Sequence, residues 1–383
     1  MLAIRGGRVY TMSAAGVLNN ATVLIDGDRI KAVGFDVEIP AGCEVIEAAD
    51  KHVCPGLIDA HCHLGLEEEV YRVEGDDLNE TTDPLTPYLM ALDGINFWDI
   101  GFTDAVRAGV TTVLVLPGSA NVIGGQAALL KTWGPRPLDM VYRSSWGLKA
   151  ALGENPKRVY GSQNKAPRTR MASAAMLREA FYVAAKSLDQ PKDLKAKDEF
   201  EQMPLGKVLQ RKMPLYIHVH RADDILTALR LKDEFGIDMV IQHGTEAFMV
   251  ADELAARGVK VALGPLLVNR AKVELKEVSF RNARRLHEAG VEFCFITDHP
   301  VIPIQYLSVC AGLAVREGLD EEVAMAAITS RAAVILGMQD EIGTIEEGKK
   351  ADIVIFSHHP LEIKARAEAV LVGGRLWRDT CHG

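Results

Sequence analysis

The chain has 383 residues, 48% of them hydrophobic, enough to bury one large core and a smaller one. Its formal net charge of −9 argues against a nucleic-acid or anionic-membrane partner, since both select a basic face. No stretch approaches the ~18 continuous apolar residues of a membrane span, and MLAIRGGRVYTM lacks the basic-then-apolar layout of a signal peptide, so a soluble cytoplasmic protein is expected.

Residues 1–53 alternate short β-rich runs with turns, and Asp26-Gly27 between Val23–Ile25 and Ile30–Val33 is a hairpin signal. The C-terminal end has the same character, in IGTIEEGKKADIVIFS and in AEAVLVGGRLWRD with its Gly373-Gly374 turn. Neither end can make a good core alone, so the two are predicted to combine, residues 1–53 with 345–383, into one small β-sandwich domain. Within residues 54–344, apolar β-rich runs fall at 57–63, 111–116, 139–143, 214–219, 238–242, 259–263 and 292–297. Weaker ones lie at 127–133 and 146–152. Helical patterns intervene at about 99–108, 171–187, 222–235, 246–257, 280–289, 303–316 and 320–335. Repeated β/α units of this extent predict an α/β catalytic domain, a (β/α)8 TIM barrel with parallel strands. An open doubly wound sheet is disfavoured because no GxGxxG follows any strand. The Gly-, Pro- and Arg-rich segment 117–170 is expected to hold the third and fourth strands and a long loop. The six cysteines, Cys43, Cys54, Cys62, Cys294, Cys310 and Cys381, form no CxxC pair and read mostly as small buried hydrophobes.

The chemistry starts at CPGLIDAHCHLG, residues 54–65. Side chains on a strand alternate faces, so His61 and His63 point the same way, about 7 Å apart, with Asp59 on that face one step deeper. Taken alone, the pair fits core histidines satisfied by carbonyls as well as it fits metal ligands. Other strand ends tip the balance: PLYIHVHRADD supplies His218 and His220, MVIQHGTE supplies His243, and FCFITDHP supplies Asp298. Each comes directly after four to six apolar residues, the wrong place for a surface group, and barrel chemistry gathers where strands end. Neutral imidazoles and carboxylates suit Zn²⁺, one or two ions per chain, with other divalent ions also fitting.

This set of residues resembles the metal-dependent amidohydrolase superfamily, in its imidazolonepropionase-like and zinc-dipeptidase-like branch. The resemblance spans nearly the whole chain: the split β domain, PG-L-I-D-A-H-C-H, the strand-end histidines and T-D-H. It implies that His61 and His63 hold the more buried ion, and that the strand-five ligand is His218, which directly succeeds its apolar run, leaving His220 on the substrate side. His243 is implied as a ligand or as a catalytic electrophile, and Asp298 as both ligand and proton shuttle. In WGLKAALGENPK, Lys149 matches the lysine that binuclear members carboxylate to bridge two ions; the alternative is a lysine snorkelling from a strand. Dipeptidases of the branch also share His243-Gly244-Thr245. The acidic loop LGLEEEVYRVEGDDLNETTDP, with Arg72 later than an imidazolonepropionase needs, does not carry that activity over.

The implied reaction is hydrolysis of a C–N amide-type bond in a small molecule (a dipeptide, N-acyl amino acid or cyclic amide) by metal-activated hydroxide, with Asp298 moving the proton. An aminohydrolase of a heterocycle is the alternative, and a catalytically silent scaffold a third reading, disfavoured because every expected position is filled. Asp59 is expected to orient a ligand histidine or to pair with a neighbour beneath the site. Substrate contacts are expected from Asn121 and Gln126 in SANVIGGQ, and GENPKRVYG at 153–161 with Arg168 and Arg170, after the fourth strand, is expected either to hold a substrate carboxylate or to be a solvated loop. The HHP at 358–360 is expected on the surface of the β domain. Homo-oligomerisation is left open.

Overall fold

The computed structural model describes residues 1–70, 73–189 and 196–378; Arg72 and Cys381 lie outside the described residues. Five strands precede the histidine pair: β1 (Leu2–Tyr10), β2 (Val17–Asp26), β3 (Arg29–Gly34), β4 (Glu44–Glu47) and β5 (His52–Pro55). The inner strands are β6 (Leu57–Cys62), β7 (Val110–Val115), β8 (Ile123–Gln126), β9 (Ala128–Lys131), β10 (Val141–Arg143), β11 (Leu148–Ala151), β12 (Leu215–Val219), β13 (Met239–His243), β14 (Lys260–Leu263) and β15 (Phe293–Phe295). The last three are β16 (Ile353–Phe356), β17 (Ala367–Val372) and β18 (Arg375–Trp377). Among the described residues no helix is long and apolar enough to cross a membrane.

Both chain ends contribute to one sheet, ordered β18-β17-β16-β5-β1-β2-β3 with β4 on β1. Asp26 and Arg29 close the β2–β3 hairpin, and Gly27 takes the left-handed φ of +60° that such a turn needs. The ends meet where β16 pairs antiparallel with β5, and Ile4, Val9, Val23, Ile25, Val53, Ile353 and Leu371 cluster against that sheet. His359 of the HHP segment is buried rather than at the surface. Its ring packs edge-on against Tyr10 at 5.3 Å and His52 at 6.0 Å, because an imidazole offers an apolar body as well as a polar tip.

The inner strands β11 to β15 run parallel in sequence order, and β6 is parallel to β7. Strand direction differs from the expected all-parallel arrangement at the third position. Residues 123–131 form a strand bent at Ala127, with β8 antiparallel to β11 and β9 antiparallel to β7. The cause is the short connection 116–122, since a parallel neighbour needs a crossover of a dozen or more residues. The run expected at 139–143 is the short β10, hydrogen-bonded to β9 outside this succession. At its other limit β15 leads into Asp298, whose backbone N–H donates to His61 O at 3.1 Å, while His63 N–H donates to His299 O at 2.9 Å.

Helices mostly obey the expected alternation. The 320–335 pattern is two helices, Glu321–Ala326 and Ser330–Leu336, parted at Thr329, whose hydroxyl donates to Met325 O. Helix Ala196–Leu209 has no counterpart among the helices expected from sequence, because Pro204 inside it reads as a breaker.

Lys131 of β9 and Asp352, beside β16, form a buried ion pair that fastens the terminal sheet to the inner strands. Asp352 also accepts from Gly373 N–H at 2.8 Å, and Lys131 donates to Thr112 Oγ1 at 2.9 Å. Asp352→Ala would strand a buried ammonium, so stability to urea is expected to fall by about 3–5 kcal/mol. Lys131→Met/Asp352→Leu, which removes both charges, is expected to recover most of that loss.

Candidate metal centre

Strand ends bring the histidines together, and hydrogen bonds fix which nitrogen each one presents. His61 Nδ1 lies 2.7 Å from Gln242 Oε1, His63 Nδ1 2.7 Å from Leu116 O, and His243 Nδ1 2.9 Å from Gly264 O. Amide and carbonyl oxygens only accept, so in all three rings Nδ1 carries a proton, which in the neutral ring leaves the lone pair on Nε2. Asp298 Oδ1 stands 3.0 Å from His61 Nε2 and 3.2 Å from His63 Nε2. Burial pushes His61 down to about 4, with the charge of Lys149 adding to it, and burial likewise holds His218 and His243 well below the usual range. Burial acts to raise the Asp298 carboxyl, but attraction to His243 and hydrogen bonds from His61 and His63 bring it well below the usual carboxylate range, and these act through rings that carry a proton toward it. The carboxylate and the rings therefore need positive charge between them, which a shared proton or a metal cation supplies, and burial opposes the proton. Two groups, His61/His63/Asp298 and His218/His220/His243, each bring their ligand atoms within 4.8 Å of one another and could hold a metal ion.

The backbone is strained where two of these groups sit. His218 and Gln242 are register partners on β12 and β13, so strict alternation would turn His243 away from the face that Gln242 occupies. His243 instead has φ +75°, and Asp298 has φ +56°. Left-handed backbone at a non-glycine residue costs on the order of 1–2 kcal/mol. Its effect is that Gln242 and His243 both reach His61, the first by a hydrogen bond and the second with ring centroids 4.7 Å apart.

Lys149 on β11 is 1% exposed, and its Nζ has no hydrogen-bond partner. Burial lowers it to about 8, opposed by the charge of Asp298, and its own charge acts on His61, His218, His220 and His243. The His218 ring lies 4.3 Å from His243 and 4.8 Å from His220, and its Nδ1 is buried without a hydrogen bond. His220 Nδ1 sits 2.7 Å from Thr245 Oγ1, and burial drives this ring down to about 3. Asp59 touches no imidazole. Its carboxylate accepts from His61 N–H and from the backbone and hydroxyl of Thr297, bracing β6 against the end of β15, and burial raises it to about 7.

A cavity of about 640 Å³ opens over the centre, with His63, His218, His220 and Asp298 in its lining. The expected substrate contacts fall elsewhere. Asn121 is 2% exposed and its amide donates to Glu80 O and Asp83 O, clamping the preceding loop. Gln126 lies within β8, where its Oε1 accepts from Ser145; the reversed strand carries it away from the strand ends that bear the site. Arg168 is exposed and does not line the cavity, and Arg170 is ion-paired to Asp223. Asn155 and Arg158, from the GENPKRVYG segment, do line it, as does Lys272, which sequence reasoning missed. The signal for the first two was ENPKR, a helix start directly after a barrel strand.

With this geometry in view, a family model described as the amidohydrolase family matches residues 52–376. The chain belongs to that family. This amidohydrolase is 38% identical to a solved amidohydrolase of Thermotoga maritima MSB8, with a TM-score of 0.94 over 98% of this chain and 99% of that one. It is 29% identical over 366 residues to amidohydrolase tasK of Hapsidospora irregularis, covering 88% of this chain; the chain spans only 37% of that protein's length. It is 27% identical to the imidazolonepropionase of Geobacillus kaustophilus (strain HTA426), over 95% of this chain and 92% of that one. A solved prolidase complexed with N-methylphosphonate-L-proline shares the fold at a TM-score of 0.64 and 19% identity.

Gln242 is the group that fixes the His61 ring. Gln242→Leu keeps the volume but removes the acceptor for Nδ1–H, so divalent-ion affinity measured by chelator competition is expected to fall roughly 10–100-fold. Nitrogen NMR of the His61 ring in the metal-free protein is expected to report a mixture of tautomers in place of one.

Proposed function

We propose that this amidohydrolase is a metal-dependent hydrolase of a C–N amide-type bond. In this reading residues 54–344 form a (β/α)8 catalytic barrel, and residues 1–53 and 345–383 form a composite β-sandwich. The observation that carries it is the cluster of buried imidazoles around Asp298, together with the buried Nζ of Lys149 and Nδ1 of His218, which have no hydrogen-bond partner among the described residues. His61, His63, Lys149, His218, His243 and Asp298 would hold one or two divalent ions, and the imidazole-rich donor set suits zinc. A bound ion supplies the Lewis acid that polarises the scissile carbonyl and acidifies the attacking water.

The chain's own groups account for the rest. Asp298 is ionised and borders the cavity, so it accepts the proton of the attacking water and returns it to the leaving nitrogen, which departs poorly as an anion. His220 lines the same cavity and faces the substrate carbonyl as a hydrogen-bonding or electrostatic partner. Lys149, unprotonated, attacks carbon dioxide through nitrogen. The new N–C bond would leave a carbamate, an oxygen ligand that could join the set holding the ions, and the displaced proton would go to solvent. A deaminase would use the same groups, and release of ammonia instead of a new carboxylate separates the two.

Asp298→Asn is expected to lower kcat by about 100-fold or more with little change in melting temperature. Near-normal kcat would assign the proton transfer elsewhere. Isotopically labelled bicarbonate is expected to give a carbamate carbon signal that strengthens as pH rises through about 8, because only the neutral Lys149 amine reacts. Lys149→Ala is expected to abolish that signal and to bind no more than one ion tightly.

A further inference from the structure

The lining of the cavity over the centre carries charges of both signs. Glu67 lies beside His63, its backbone N–H donating to His63 O at 3.1 Å, and its carboxylate has no ion-pair or hydrogen-bond partner among the described residues. Lys272 and Arg158 line the same cavity.

Lys272 is held in place. Its Nζ donates to Asn155 Oδ1 at 3.0 Å and lies 3.9 Å from Glu274 Oε1. A lysine only donates, which fixes the Asn155 amide with its oxygen toward Lys272. Asn155 Nδ2 then faces Ser119 Oγ at 2.8 Å and His218 Nε2 at 3.5 Å. One side chain therefore links the ammonium to the histidine ring at the floor of the cleft. Glu274 is buried beneath, 3.9 Å from His220 Nε2, and accepts from the backbone of Glu154 at 3.2 Å. The chain passes close by at Gly153 (φ +82°), where an added Cβ would stand 3.1 Å from Glu274 Oε2.

Arg158 comes three residues after Asn155 in helix Glu154–Ser162, so the two share a helix face and Arg158 flanks the Lys272–Asn155 contact. Arg158 forms no ion pair or hydrogen bond among the described residues and lines the cavity. A guanidinium left free beside an anchored ammonium is a receptor for a planar anion, and a carboxylate fits it in bidentate fashion. Leu78, Val159, Leu267 and Val268 add apolar surface to the lining of the same cavity.

We infer that the cleft selects an amide that carries a free carboxylate next to an apolar side chain, with Arg158 and Lys272 receiving the carboxylate. The substrate class is then an N-acyl or N-aminoacyl derivative of an apolar amino acid. This inference rests on the hydrolase reading above and deepens it, since Arg158 and Lys272 replace Arg168 as the substrate's anchor.

The test is a binding measurement, so it does not depend on turnover. Calorimetry on the zinc-loaded Asp298→Asn protein at neutral pH compares N-acetyl-L-leucine with N-acetyl-L-leucine amide. The acid is expected to bind about tenfold or more tightly than the amide, the scale of one charge-assisted hydrogen bond. Arg158→Gln in the same background is expected to bring the two within about threefold, with zinc content unchanged, and Arg158→Lys to recover part of the preference. Equal affinity of acid and amide, or no measurable binding of the acid, overturns the inference. So does a preference for the acid that survives in both Arg158→Gln and Lys272→Gln, which would mean that the bound ion takes the carboxylate. Failure of the wild-type protein to hydrolyse any amide would instead overturn the hydrolase reading and leave this comparison readable.

Discussion

An ionised carboxylate facing imidazole lone pairs across about 3 Å is the constraint on which the rest of the structure depends. Each ring has its Nδ1 proton committed to an oxygen outside the centre, so a neutral ring has no Nε2–H to offer Asp298. Burying such groups without a partner costs several kcal/mol, and protonating them is opposed by the same burial. A divalent cation satisfies every lone pair at once. The surrounding architecture holds these groups around the place where that positive charge sits.

That task accounts for the strain and bracing around the centre. Left-handed backbone at His243 and Asp298 breaks strand alternation where two polar groups must reach one side. Asp59 ties the His61 backbone to Thr297, while the exchange of hydrogen bonds between residues 61–63 and 298–299 joins the first and last inner strands under the site. The cleft above is built from segments beyond the strand ends: the helix start carrying Asn155 and Arg158, and the loop after β14 carrying Lys272 and Glu274. In the proposed reading these parts decide what is bound, whereas the strand ends decide what chemistry is done.

Much of the centre was legible because strands advertise themselves. A polar residue closing an apolar run has few bland explanations, and His61, His63, His218, His220, His243 and Asp298 all stood out that way. Strand direction was not legible: an apolar run reads the same in both senses, and the brevity of the 116–122 connection was the only cue that β8 and β9 turn back. That reversal is why Gln126 belongs to a strand and not to the cleft. Asn121 was misjudged for a related reason, since its clamp on Glu80 and Asp83 depends on a loop whose course no local pattern encodes. Gln242 stayed hidden behind His243, because alternation allows only one of two adjacent residues to face inward. Charged cleft residues such as Arg158 and Lys272 cannot be told from solvated ones without knowing where their loops fold.

The most direct test of the central claim is thermal unfolding of metal-stripped protein with and without added zinc, paired with elemental analysis of the protein as purified. Zinc that binds the folded state alone stabilises it by about 4 kcal/mol when present at a thousandfold excess over its dissociation constant. A clear rise in melting temperature, saturating at one to two zinc equivalents and absent from a His61→Ala/His63→Ala variant, is the result the account predicts. Superimposable unfolding curves, together with no metal in catalytically active protein, would contradict it.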